Sequence, residues 1–207
     1  MSGEIPVSSR FDVAAVATPL FFCGIKHSGK STLGKHVARA LRYEFQDSDD
    51  LILAYIAETF KDAPESIRAF FRQYGKQRFM AAEYAAITNY LSLRSSVERP
   101  LLLALGGGAC DNLPLMRHLQ ATTGSLCYIR QSEQVLFSRI MRSGIPPFLD
   151  SGDPQSAFHS LFVERDRAYS AAADHIFSIE GDQSISASVD MILSARLPSV
   201  AGEGAAT

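Results

Sequence analysis

Apolar residues follow two rhythms along this chain. Short solid runs at 20–23, 100–105 and 125–129 read as strands buried on both faces. Between them, apolar positions return every three or four residues, the period of a helix with one buried face. The clearest case is 30–41, with Leu33, Val37, Ala40 and Leu41 on one side. The pattern predicts further strands at 43–47 and 175–179. It predicts helices at 51–57, 79–93, 114–120, 133–142, 154–172 and 184–196. One more helix begins at the Asp62, Ala63, Pro64 signal, buries Ile67, Phe70, Phe71 and Tyr74, and ends at Gly75. Strands alternating with helices predict an α/β fold: a doubly wound sandwich with a five-stranded parallel sheet and helices on both faces. Ligands of such sheets bind beyond the carboxyl ends of the strands.

The segment 143–152 holds Pro146, Pro147, Gly144 and Gly152, which excludes regular structure, and it is expected to be a mobile flap. Residues 1–17 are expected to form a flexible arm, and 197–207, rich in small residues, a disordered tail. Residues 18–196 then form a single domain, without internal repeat. The length of 207 residues is enough for one sizeable core, and 46% hydrophobic with 20% charged residues is ordinary for a globular chain. A net charge of −2 gives no basis for a nucleic-acid partner. No run is long and apolar enough to span a bilayer. Arg10 followed by 13–22 imitates a short signal sequence, but Pro19 interrupts the run, and cleavage there would cut into the glycine loop that follows, so no targeting is expected. Cys23, Cys110 and Cys127 show no metal-like spacing and read as reduced thiols of a cytoplasmic protein. The histidines are scattered. A monomer is expected.

Candidate chemistry begins at Gly24, where Gly-Ile-Lys-His-Ser-Gly-Lys-Ser-Thr matches G-x-x-x-x-G-K-[ST] between a strand and a helix. Glycines let such a loop curl so that its N–H groups point at phosphate oxygens, and the helix start adds a positive dipole end. Gly24, Ser28, Gly29, Lys30, Ser31 and Thr32 are the candidate ATP contacts. Lys30 places a charge on the β- and γ-phosphates, and the Ser31 hydroxyl completes a magnesium shell. His27 reads as a solvent-facing spacer. No guanine-reading Asn-Lys-x-Asp segment is present.

Two further clusters follow strands. Asp47 and Asp49 are two apart on an extended segment and so share a face. Two readings are open. One aspartate holds magnesium and the other takes a proton from an attacking hydroxyl, or the pair is the capped start of a helix. Gly106, Gly107 and Gly108 either admit a ligand close to the backbone or make a tight turn.

In this order the motifs resemble the shikimate kinase family. The phosphate loop extends to the family form from Gly24 to Gly34. Phe45-Gln-Asp47-Ser-Asp49 matches F-x-D-x-D, and Gly75-Lys-Gln-Arg-Phe79-Met80-Ala-Ala-Glu83 represents G-E-x-x-F-R-x-x-E. Ala104 to Gly108 stands for T-G-G-G, Pro146-Pro147-Phe148-Leu149 for the flap R-P-L-L, and Glu164-Arg165 to Tyr169 for E-R-x-P-L-Y. The resemblance implies an ATP- and Mg2+-dependent small-molecule kinase with shikimate as acceptor. Asp47 would sit near magnesium, and Asp49 would bind and activate the acceptor hydroxyl. Gly106, Gly107 and Gly108 would contact the acceptor, Arg165 would pair with its carboxylate, and Arg139 would contact the nucleotide. A solvated helix face is the alternative for Arg139 and Arg142, and an ion pair with Glu164 or Asp166 for Arg165. Met80, Pro146 and Leu53 replace a carboxylate-clamping arginine, a flap arginine and an acid of the family pattern. Arg72, Lys76 or Arg78 are candidate substitutes for the first, and Arg142 for the second. Two other readings stay open: a kinase of the same scaffold for a less anionic alcohol, and a nucleotide-binding module without catalysis.

Overall fold

The fold is known from a computed structural model, which describes residues 18–94, 99–142, 152–181 and 183–195. The arm expected at 1–17, the tail at 197–207 and, except for Gly152, the flap at 143–152 lie outside the described residues.

Strand β1 (Leu20–Cys23) dictates the layers, because none of its four side chains reaches solvent. Alternate side chains of a strand point to opposite faces. Leu20 and Phe22 enter a core with Leu33 and Val37 of α1 (Lys30–Leu41) and Ile192 of α7 (Ile185–Ser194). Phe21 and Cys23 enter the other core. There they meet side chains of α4 (Leu113–Ala121), α5 (Glu133–Arg142) and α6 (Pro154–Ala172). The sheet order is β2 (Glu44–Asp47), β3 (Leu101–Ala104), β1, β4 (Ser125–Gln131), β5 (His175–Ile179), with every pairing parallel. The chain leaves β1 toward β2 and later crosses to β4 on the other side. The loop after β1 therefore lies at the switch point, between the carboxyl ends of β3 and β4.

A third cluster joins α2 (Ser48–Thr59) to α3 (Ile67–Leu93) through Ile52, Ile56, Phe70, Ala82 and Ala86. Local chemistry corrects the sequence-based bounds here. Ser66 caps α3, its hydroxyl accepting from the Ala69 N–H at 3.1 Å, so the helix starts after the Asp62–Pro64 signal. Gly75, at φ 78° and ψ 173°, is non-helical and ends the first of two helical runs within α3, as expected. The second run, expected from Phe79, begins directly after Gly75. Phe71 is 44% exposed, and in α1 Ala38 is buried where Ala40 was expected to be. No helix among the described residues is long and apolar enough to cross a membrane.

Phe22 is fully buried on the α1/α7 side of the central strand. Phe22→Ala should cost about 3–5 kcal/mol of unfolding free energy. Urea or thermal denaturation measures it. A loss below about 1 kcal/mol would mean that this core collapses around the hole.

Candidate active site

The turn after β1 is shaped by Gly24. It sits at φ 142°, and a Cβ there would lie 2.6 Å from the Ile129 carbonyl oxygen. The chain then curls so that Lys30, in the first turn of α1, reaches back into its own loop. Its ammonium donates to the carbonyls of Gly24 at 2.8 Å and Ile25 at 3.1 Å. Burial pulls the Lys30 pKa down to about 8, against the opposing field of Cys23, Asp47 and Asp49. No side chain caps α1, so its first N–H groups face the same space. The Ser28 hydroxyl is buried and finds no hydrogen-bond partner among the described residues. These features suit a polyphosphate. His27 is half-buried rather than a free spacer. Burial and the charges of Lys26, Lys30 and Arg139 hold its imidazole below the ordinary range. Its carbonyl accepts from Arg139 Nη1 at 2.9 Å, which fixes that arginine over the loop.

The helix-cap reading of the acidic pair holds for Asp47. Asp47 is the N-cap of α2, Oδ1 accepting from the Asp49 N–H at 3.1 Å. Its Oδ2 accepts from the Ser31 hydroxyl at 2.6 Å. Among the described residues no three His, Cys, Asp or Glu side chains converge on a metal position. Two hard oxygens beside a phosphate loop nevertheless fit magnesium, which keeps waters and phosphate oxygens and takes few protein ligands.

A cavity of about 570 Å³ opens over the loop. Gly29, Lys30, Ser31, Thr32, Asp47 and Arg139 line one end; Asp49, Glu83, Phe79, Ile67, Gly106, Gly107 and Gly108 line the other. Gly24 and Ser28 shape the loop from behind. Gly107 must be glycine, because a Cβ there would fall 2.5 Å from the Lys26 nitrogen. The triplet is thus both a tight approach of two loops and a cavity wall. Arg165 stands outside the lining, its Nη1 donating to Gly107 O at 3.1 Å. Tyr169, from the same helix, donates to Gly106 O at 3.4 Å and accepts from the Cys110 N–H at 3.3 Å. Met80 does not line the cavity. Phe79 and Glu83 do, and the Met80 carbonyl accepts from Asn112.

Sequence reasoning assigned no role to Glu83. It is 2% exposed, and Asn112 Nδ2 donates to its Oε2 at 2.9 Å. A Cβ on Gly106 would lie 3.5 Å from Glu83 Oε1 and 3.6 Å from Asp49 Oδ1, so the two carboxyls flank one point of the wall. Burial, helped by Asp49 and Asp111 and opposed by Asn112 and Arg165, pushes Glu83 up to about 7. Asp49 is raised by burial and then by Asp47, against Lys30 and Lys26. Also unanticipated is a second cavity of about 210 Å³ beyond Arg139, with Gln131, Ile179, Gln183 and Ile185 in its wall.

A phosphate loop at the switch point of a parallel sheet, sharing a small-molecule cavity with the carboxyls of Asp49 and Glu83, defines a P-loop small-molecule kinase. The particular family follows from comparison. Residues 26–196 match the shikimate kinase family, and the chain belongs to it. The shikimate kinase of Cupriavidus pinatubonensis is 34% identical over 157 residues, covering 76% of this chain and 75% of that protein. That of Geobacter sulfurreducens is 34% identical over 149 residues, covering 72% and 75%. Shikimate kinase from Acinetobacter baumannii in complex with shikimate has a similar structure, with a TM-score of 0.69 at 26% identity over 87% of this chain and 91% of that one. A gluconokinase from Sinorhizobium meliloti, at 18% identity and a TM-score of 0.54 over 86% and 90%, shares the fold alone.

The Glu83 carboxyl makes stability depend on pH. Between 4.5, its ordinary value, and about 7, the native chain holds a proton that the unfolded chain has released. Stability therefore falls as pH rises through that window. The charged groups around it are Asp49 on α2, Asp111 after β3 and Arg165 on α6. Glu83→Gln keeps the acceptor for Asn112 and removes the proton. Its melting temperature relative to wild type should rise across the window and stay flat above it. Parallel pH profiles of the two proteins would assign the effect elsewhere.

Proposed function

We propose that this chain transfers the γ-phosphoryl group of ATP to a ring hydroxyl of shikimate, giving shikimate 3-phosphate and ADP. The observation that carries this reading is the placement of Asp49. A carboxyl with a raised pKa lines the same cavity as Lys30 and the phosphate loop. A base nearer neutrality is better matched to accepting an alcohol proton.

The loop N–H groups and Lys30 hold the β- and γ-phosphates, and Arg139 sits over the same ground. Ser31 and Asp47 are the residues that would hold Mg2+, whose charge balances that of the phosphates. The acceptor lies between Asp49 and the wall of Gly106, Gly107 and Gly108. Its hydroxyl oxygen bonds to the γ-phosphorus, the bond from that phosphorus to the β,γ-bridging oxygen breaks, and the proton passes to Asp49. ADP leaves with the bridging oxygen. Arg165 attracts the acceptor's carboxylate, and the second cavity takes the adenine end. The relative crystallised with shikimate supports the acceptor. Three buried free thiols fit the reducing cytoplasm.

The test is shikimate-dependent ADP release, with the phosphorylated product identified by NMR. Asp49→Asn should lower kcat by about a hundredfold or more, with ATP affinity held within about threefold. Lys30→Ala should abolish turnover in a folded protein. Absence of shikimate-dependent ADP release, or an Asp49→Asn variant with wild-type kcat, would overturn the reading.

A further inference from the structure

At the acceptor end, Arg165 converges with two charged side chains that have been given no role, Lys76 and Asp111. Lys76 Nζ and Arg165 Nη2 each lie 3.2 Å from the same oxygen, Asp111 Oδ2. Arg165 is fastened to the cavity wall: besides its bond to Gly107 O, its Nη2 would stand 3.0 Å from a Cβ on Gly108. Lys76 follows the break at Gly75 and begins the helical face that continues with Phe79 and Glu83, at i, i+3 and i+7. Both of those side chains line the cavity. Arg78 lies over the Tyr74 ring at 6.0 Å, and Arg142 donates to Ser138 Oγ at 3.0 Å.

Two cations held this close to one oxygen repel each other unless an anion lies between them. Asp111 supplies it. Burial alone would push the Asp111 carboxyl up, yet Arg165 and Lys76 outweigh burial and hold it below the ordinary range. The position therefore favours a carboxylate over a carboxylic acid. A ligand carboxylate has two oxygens and can give each cation its own acceptor, an arrangement that a single Asp111 oxygen does not offer. Met80, one turn beyond Lys76, has no donor to contribute.

We infer that Lys76 and Arg165 together clamp the carboxylate of the acceptor, and that Asp111 is an internal carboxylate which the acceptor's group displaces. This rests on the reading of the acceptor as shikimate, an anion at neutral pH. Lys76 is then a specificity-determining residue for acidic acceptors. Asp111 lowers the affinity that the two cations would otherwise give.

The experiment is steady-state kinetics on wild type, Lys76→Met, Lys76→Arg and Asp111→Asn. Shikimate is compared with its carbinol analogue, in which the carboxylate is reduced to CH2OH, read as a substrate or as a competitive inhibitor. Lys76→Met should raise KM for shikimate about tenfold or more. It should shrink the preference for acid over carbinol by the same factor. Lys76→Arg should restore both to within about threefold of wild type. Asp111→Asn should lower KM for shikimate. An unchanged KM in Lys76→Met, or an equal rise for acid and carbinol, would overturn the clamp. A raised KM in Asp111→Asn would overturn the displacement. Wild-type protein without shikimate-dependent ADP release would overturn the parent reading, and the clamp with it.

Discussion

The arrangement depends on one buried cation. Lys30 is 7% exposed, and its ammonium rests on two carbonyls of its own loop. A lysine in that place costs desolvation, seen as a pKa drawn down to about 8. The fold tolerates it because β1 ends there. A strand buried on both faces delivers the chain to the switch point, and Gly24 turns it so that carbonyls face inward at Lys30 and uncapped N–H groups remain at the head of α1. Asp47 and Asp49, at the end of β2, are close enough for their fields to favour the charged lysine. Polyphosphate would favour it further. The phosphate end of the cavity thus follows from where the central strand stops.

The acceptor end is governed by the opposite sign. Asp49 and Glu83 flank Gly106 from two different helices, and Asp49 helps to raise the pKa of Glu83. Only Asp49 lies within the reach of Lys26 and Lys30 that opposes its burial, and Glu83 is left with Asn112 and the more distant field of Arg165. Two carboxyls in one wall are thereby separated in character. Asp49, beside the phosphate loop, has two lysines favouring its carboxylate, and Glu83, drawn up to about 7, is shared between its acid and carboxylate forms near pH 7.

How far this was legible from residues alone depends on whether spacing or packing does the work. The phosphate loop was legible because its spacing is the chemistry. Strand runs were legible because β1 and β3 are apolar throughout. Asp47 stayed ambiguous because capping a helix and meeting Ser31 use different oxygens of one carboxylate, and a sequence pattern cannot separate uses that coexist. The start of α3 was misread because Pro64 is a strong signal, whereas Ser66 holds the cap. Glu83 was quoted within a motif but given no role. Its signal was an acid on the same helical face as Ala86 and Ile87, which only burial could complete. The second cavity brings together β4, β5 and α7, and strand order is not written in periodicity.

Several recognition groups of this site already have an internal partner. Lys30 is held by carbonyls, Ser31 by Asp47, Arg139 by the His27 carbonyl, and Arg165 by Asp111. Binding a substrate is then an exchange of polar contacts rather than a gain, and such exchanges net only about 0.5–1.5 kcal/mol for an ordinary hydrogen bond. What the internal partners secure is geometry: each donor is already near the place where a phosphate or carboxylate oxygen must arrive, so little side-chain entropy remains to be lost. Discrimination follows from the same fact. A ligand that displaces an internal partner without replacing it leaves a buried charge unpaired, which costs more than the lost contact. A neutral alcohol placed at Arg165 would have to leave Asp111 where it is, and would forgo the contact that an acidic acceptor takes over.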